Sequence, residues 1–243
     1  TLEGLKLKPN ESVQALFPRK NKIQVLPSEI GKLEGLRKLS LNLNEITTLE
    51  DGIAGLQKLE ELSLYQNKLT AIPKICYQLP RLKVIDLYYN QIQRIDEEIS
   101  NLKALEILYL ANNRIHTLPD NIGDLRNLGE LYLHHNHISH LPASLSQLSM
   151  LRVLRINDNS FSDFPDPILS LRNLENLDIS RNRLQSLPSD VVYFKKLELL
   201  VMTENPWEDS DAITAFAKKM RSNGTLVHLN SLSSEVEETT SVD

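Results

Sequence analysis

The chain has 243 residues, 27 Lys and Arg against 32 Asp and Glu, and a net charge of −5; 41% of it is hydrophobic but only 5% aromatic. Leucine alone fills 45 positions, so any core is built from Leu and Ile, which excludes a mostly disordered chain, a collagen-like fibre or a disulfide-stapled mini-domain. No apolar run approaches the roughly 18 residues of a transmembrane helix, and cations spread evenly along an acidic chain give no basic face for a nucleic acid.

Residues 1–20 carry only fragments of a leucine pattern. Phe17-Pro18 interrupts a Leu-x-Leu step, and Asn10 stands where a leucine is expected, so this segment reads as an N-terminal cap with a degenerate repeat. A regular repeat then takes over for residues 21–207. Asn21, Asn44, Asn67, Asn90, Asn113, Asn136, Asn159, Asn182 and Asn205 stand 23 residues apart without a slip. One copy of the frame reads Leu105-x-x-Leu108-x-Leu110-x-x-Asn113-x-Ile115-x-x-Leu118-Pro119-x-x-Ile122-x-x-Leu125. The next repeats it as Leu128, Leu131, Leu133, Asn136, Ile138, Leu141, Pro142, Leu145 and Leu148. Proline recurs as Pro27, Pro73, Pro119, Pro142, Pro165 and Pro188, with Glu50 and Asp96 in its place in two copies.

Within each copy, Leu-x-Leu alternation is the period of a short strand with one face buried. The asparagine comes where the chain turns out of that strand. Buried there, its amide can satisfy backbone groups of adjacent coils, which predicts a structural ladder of Asn44, Asn67, Asn90, Asn113, Asn136, Asn159 and Asn182. The Ile-x-x-Leu-x-x-Leu stretch has helical spacing and predicts a short helix or 3₁₀ turn on the opposite side. After Asn205-Pro206-Trp207 breaks the repeat, residues 208–230 read as a C-terminal cap. Ser210 is expected to cap a helix carrying Ile213, Phe216, Ala217 and Met220, closed by Gly224, before an edge strand over 225–229. Residues 231–243 are rich in Ser, Thr and Glu without Lys, and read as a disordered tail.

The frame L-x-x-L-x-L-x-x-N-x-L-x-x-L-P, extended by I-x-x-L, resembles the leucine-rich repeat family over residues 13–207. Its 23-residue length and L-P step are similar to the group that includes Ras-pathway scaffolds, plant intracellular Ras-group proteins and leucine-rich repeat proteins of pathogenic spirochaetes. The resemblance implies an α/β solenoid, a horseshoe with a parallel sheet on its concave face and short helices or 3₁₀ turns on the convex one. It further implies a non-enzymatic module that binds a partner protein on the concave face. Two alternatives stand beside that reading: a secreted or surface bacterial protein that binds host proteins, and a regulatory subunit that positions an enzyme such as a phosphatase. Extracellular animal members usually carry cysteine-knotted end caps. Here the single Cys76 occupies the frame's isoleucine position and reads as a small buried hydrophobe. That favours a cytoplasmic protein or a bacterial one, and a signal peptide ahead of Thr1 would favour export.

The variable strand positions carry the functional information. Two places before each asparagine stand Tyr65, Tyr88, Ala111, His134, Asn157 and Ser180; one place before it, Gln66, Tyr89, Asn112, His135, Asp158 and Arg181. Four places before it come Ser63, Asp86, Tyr109, Tyr132, Arg155 and Asp178, and six places before it Val84, Ile107 and Val153. Five of the seven tyrosines thus share one face, although the leucines already fill the core. Tyrosine gives large, rigid contact area with a polar tip. The expected partner-binding set is Tyr65, Asp86, Tyr88, Tyr89, Ile107, Tyr109, Tyr132, His134, His135, Arg155 and Asp178, with Arg155 placed to stack on Tyr132 and to pair with Asp178. Seven places before the asparagines, Arg37, Glu60, Lys83 and Glu106 alternate in sign and read as a solvated edge ladder. His116, His134, His135, His137 and His140 cluster in sequence, but adjacent strand residues should diverge and no Cys or carboxylate pair completes a tetrahedral set, so a designed metal site is not expected and adventitious zinc is the alternative. Phosphate loops, G-x-S-x-G, H-E-x-x-H and C-x-x-C are missing from the sequence, which predicts neither cofactor nor catalytic residue.

Overall fold

A computed structural model describes residues 10–229. The sequence expectations for residues 1–9 and for the 231–243 tail lie outside them. Each Leu-x-Leu step forms a strand of two or three residues. In chain order these are β1 (Ala15–Leu16), β2 (Lys38–Ser40), β3 (Glu61–Ser63), β4 (Val84–Asp86) and β5 (Ile107–Tyr109). Next come β6 (Glu130–Tyr132), β7 (Val153–Arg155), β8 (Asn176–Asp178), β9 (Leu199–Val201) and β10 (Leu226–His228). All ten pair with their chain neighbours in one parallel sheet. The register equals the repeat. Ile85 thus fills the frame's leucine position opposite Leu62 and Leu108, and Tyr109 lies opposite Asp86 and Tyr132. Every frame position therefore stacks on its own copy in the next coil. The frame leucines, such as Leu105, Leu108 and Leu110, are fully buried between coils.

On the convex side each coil returns through a 3₁₀ turn, for example Lys74–Gln78, Glu97–Asn101 and Ala143–Gln147. Most turns start at a proline whose fixed φ holds the chain extended, as in Pro27 at φ −65°, ψ 143°. Glu50 and Asp96 adopt the same extended geometry. What the turn requires there is a carbonyl: Pro27, Glu50 and Asp96 each accept the backbone N–H three residues on at 3.1 Å. Any residue supplies that oxygen, so the departures from proline leave the coil unchanged. Cys76 is fully buried in one of these turns, and burial pushes its thiol up to about 12.

Between strand and turn, the asparagines tie neighbouring coils together. Asn113 Nδ2 donates to the Leu87 carbonyl of the preceding coil and to the Leu110 carbonyl of its own, both at 2.9 Å. Its Oδ1 accepts the Ile92 N–H of the preceding coil at 3.0 Å. The same three bonds recur at Asn44, Asn67, Asn90, Asn136, Asn159, Asn182 and Asn205. To aim the side chain inward, the residue before each asparagine takes a left-handed conformation with φ between 50° and 60°. None of these nine residues is glycine. Such a conformation costs a side-chain-bearing residue roughly 1–2 kcal/mol, which the asparagine bonds offset.

At the C-terminal end, α1 (Ser210–Ser222) closes the stack by burying Ile213, Ala217 and Met220. Its N-cap is Asp209, whose Oδ1 accepts the Ala212 N–H at 2.8 Å, and not Ser210 as the sequence suggested. A carboxylate is both a hydrogen-bond acceptor and a negative charge against the positive end of the helix dipole, so it outcompetes the hydroxyl one residue on. Gly224, at φ +94°, turns the chain into β10, where Val227 covers Leu200. Among the described residues no helix is long and apolar enough to cross a membrane.

Two outcomes test these contacts. Asn113→Ala strands the Ile92 N–H and two carbonyls and is expected to lower unfolding stability by ~1–3 kcal/mol. Exposed Asn21, whose amide among the described residues bonds only the nearby Arg19 carbonyl, should tolerate alanine within ~0.5 kcal/mol; equal denaturation curves for the two variants would remove the ladder's role. Truncation after Trp207 bares Leu197, Leu200 and Val191, and light scattering should find it self-associated, because an open coil end is apolar.

Candidate functional site

The sheet's parallel register converts each strand column into a row of side chains running across coils about 4.8 Å apart. On the concave face this brings the tyrosines into one continuous series. Tyr65 meets Tyr89 edge-on with ring centroids 5.5 Å apart, and Tyr89 lies 6.3 Å from Tyr88. Tyr88 stacks on Tyr109 at 5.5 Å, and Tyr109 on Tyr132 at 4.7 Å. The Arg155 guanidinium lies over the Tyr132 ring, 5.7 Å from its centroid. The five rings and one cation thus form an unbroken path from β3 to β7.

Two features of this row have no counterpart in the sequence expectations. The Tyr88 hydroxyl spans the intervening coil and hydrogen-bonds His134 Nε2 at 3.1 Å. It can do so because the frame position between them holds Ala111, which is fully buried. A small residue flanked by two large ones in the same column was the available signal. Tyr88 is therefore a roof as well as a contact residue. Burial pushes its phenol up to about 12. Tyr132 donates its hydroxyl to Glu130 at 2.8 Å, and burial and that carboxylate both raise its phenol. Tyr89, in the left-handed position, projects outward and is 50% exposed.

The histidines divide differently from expectation. His134 and His135 do not diverge: their rings lie 5.6 Å apart, because the positive φ of His135 swings its side chain back beside its neighbour. His135 Nε2 is 3.6 Å from Asp158, which also faces Arg181 at 3.6 Å. His116 and His137 meet on the turn beyond the asparagines, with rings 5.3 Å apart. Among the described residues no group of three or more His, Cys, Asp or Glu is placed to hold a metal ion. His134 is half-buried; burial first, then His135 and Arg155, pull its imidazole from 6.5 down to about 4.

The remaining predicted residues flank this row. Ile107 is half-buried between Val84 and Glu130 in the neighbouring strands. Asp86 accepts the Ser63 hydroxyl at 2.7 Å and the Tyr88 N–H at 3.1 Å. Asp178 accepts the Ser180 N–H and hydroxyl, and burial raises its carboxyl. Arg155 lies opposite Asp178 in register, yet among the described residues no ion pair joins them; the guanidinium is committed to the Tyr132 face instead. On the sheet edge Arg37 pairs with Glu60, Lys83 with Glu106 at 3.8 Å, and Arg152 with Glu175 at 3.6 Å.

Comparison with known proteins places this geometry. A leucine-rich repeat profile matches residues 12–69, 57–115 and 104–161, and a second matches 173–194. No curated protein matches the chain. Among solved structures, a leucine-rich repeat protein of Leptospira interrogans is 33% identical, with a TM-score of 0.69, over 76% of this chain and 53% of that one. This chain therefore spans about half the length of that relative. The leucine-rich repeat ectodomain of the Arabidopsis thaliana membrane receptor kinase GASSHO1/SCHENGEN3, in complex with CASPARIAN STRIP INTEGRITY FACTOR 2, is 30% identical with a TM-score of 0.71, covering 80% of this chain and 24% of that one. A Listeria monocytogenes internalin superposes with a TM-score of 0.77 at 22% identity, over 90% of this chain and 61% of that one, a likeness of fold.

The environment of His134 makes a pH prediction. Unfolding returns the ring from about 4 to the ordinary 6.5, so the unfolded chain binds the extra proton. This contribution to stability is complete above pH 6.5 and is lost as pH falls from there towards 4. NMR titration of the ring carbons should find His134 still neutral at pH 5; a midpoint near 6.5 would contradict the burial argument.

Proposed function

We propose that this chain, which belongs to the leucine-rich repeat family, is a non-enzymatic module that grips a partner protein on its concave face. Leucine-rich repeat domains mediate protein–protein interaction. The observation that carries the concave-face reading is the tyrosine row. The core is complete without Tyr65, Tyr89 and Tyr109, whereas an interface gains from them. Rings already stacked on one another lose little side-chain freedom when a partner arrives, so more of the contact energy remains as affinity. The set proposed to touch the partner is Tyr65, Asp86, Tyr88, Tyr89, Ile107, Tyr109, Tyr132, His134, His135, Arg155 and Asp178. Signalling scaffold and bacterial surface protein are two settings for such a module. The 33% identity to the Leptospira protein over 76% of this chain favours the bacterial one, in which the partner is a host protein.

The test uses a partner recovered by affinity capture and measured by surface plasmon resonance. Tyr89→Asn keeps a residue that tolerates positive φ and should change stability by no more than ~0.5 kcal/mol. Combined with Tyr109→Leu it is expected to weaken binding by ~2 kcal/mol or more, about thirtyfold. Lys195→Ala, exposed on the far side of a late coil, serves as control. If the control weakened binding and the tyrosine pair did not, the binding face would lie elsewhere.

A further inference from the structure

The concave face carries two aspartates at the same frame position, and they differ in what opposes them. Asp178 in β8 has Arg155 beside it in register from β7. Asp86 in β4 has Ser63 on one side and Tyr109 on the other, neither of them charged. Among the described residues no Lys, Arg or His comes within ion-pair distance of Asp86. The cation nearest to it in sequence, Lys83, pairs with Glu106 on the sheet edge. The Asp86 carboxylate is held in place by the Ser63 hydroxyl and the Tyr88 N–H. Both donors are neutral, so its charge is uncompensated.

Beside that carboxylate stand Tyr88, whose N–H it accepts, and Tyr109, opposite it in register; ring contacts continue the row from Tyr88 to Tyr89 and Tyr65. Among the described residues the hydroxyls of Tyr65, Tyr89 and Tyr109 make no hydrogen bond within the chain. One step along the strands, Val84 and Ile107 form a half-buried apolar pair in register. A negative charge, aromatic faces and a short apolar strip are what an Arg or Lys side chain satisfies at once: the head pairs with the carboxylate, the rings attract it, and the methylene stem covers the apolar strip. The far end of the same row already seats a cation on an aromatic face, with Arg155 over Tyr132.

Resting on the concave-face reading, we propose that Asp86 and the tyrosines around it form a seat for a cationic side chain of the partner protein, an arginine or lysine that anchors it over β4 and β5. A neutral side chain of the same shape would leave the carboxylate unpaired beneath the interface and so be rejected.

The probes are N-acetyl-arginine methylamide and its neutral isostere N-acetyl-citrulline methylamide, titrated into the full chain and followed by NMR at Asp86 and the tyrosine rings. The arginine probe should shift the signals of Asp86, Tyr88 and Tyr109, and the citrulline probe should bind about tenfold more weakly. Asp86→Asn keeps Oδ1 for the Tyr88 N–H and puts an amide NH2 in place of Oδ2; the Ser63 hydroxyl accepts from it while donating to Asn42 Oδ1, so the fold persists, and the change should abolish the preference for arginine. Equal binding of the two probes, an unchanged preference in Asp86→Asn, or no shift at these residues would each overturn the seat. The recovered partner separates this failure from that of the broader reading. Partner binding lost with the tyrosine variants but kept in Asp86→Asn removes the seat alone; binding kept in both removes the concave face.

Discussion

The structure depends on closing each coil at one length. A strand residue repeats opposite its own copy only if every coil spends 23 residues, and the buried asparagine is what fixes that count. Its amide reaches backbone groups at separations of 2, 3, 21 and 26 residues, so an insertion or deletion between them would strand at least one of the bonds. Leucine burial alone would not set this register. Apolar contacts are non-directional and tolerate sliding, whereas an unsatisfied buried amide costs about 1–3 kcal/mol. The asparagine therefore makes the leucines meet leucines, and the leucines then supply most of the driving force. The same bonds hold eight residues at positive φ, from Leu43 to Glu204, a conformation that none of them would favour in isolation.

Register has a second consequence on the face opposite the core. Because every column stacks on itself, tyrosines placed 23 residues apart in sequence become neighbours whose rings can touch, as Tyr109 and Tyr132 do. The row's pre-stacking is a property of the scaffold and the side chains together. Three columns contribute, since Tyr88 stands two places before its asparagine, Tyr89 one place before it and Tyr109 four places before its own. The face so formed is rigid, aromatic and edged with carboxylates such as Asp86 and Glu130; among the described residues only the second has a cation within ion-pair distance, Arg152 at 3.9 Å.

Strand, asparagine and turn were legible in the sequence because each repeats, and repetition separates a frame from chance. The columns on the concave face were legible for the same reason, since the frame assigns them without reference to what they hold. What escaped was every effect that depends on a single copy. Asp209 rather than Ser210 caps α1: two good capping residues stand side by side, and the carboxylate's charge against the helix dipole tips the choice. His134 and His135 approach each other because a backbone dihedral, invisible in the letters, redirects the second ring. Arg155 had two suitable partners in register and took the ring, leaving Asp178 to Ser180.

The bridge between Tyr88 and His134 shows where frame and face cease to be independent. In a solenoid whose outward positions touch only solvent, stability and recognition separate, and a concave residue can change without cost to the core. Ala111 breaks that rule. Its column neighbours are large, its own side chain is buried beneath them, and the 3.1 Å contact over it ties a coil to the next but one. A larger residue at that position would lift the Tyr88 ring away from His134 and disturb its stack on Tyr109. A substitution that adds apolar area to the concave face there would thus subtract order from it, so the middle of the tyrosine row is set by the smallest residue in it.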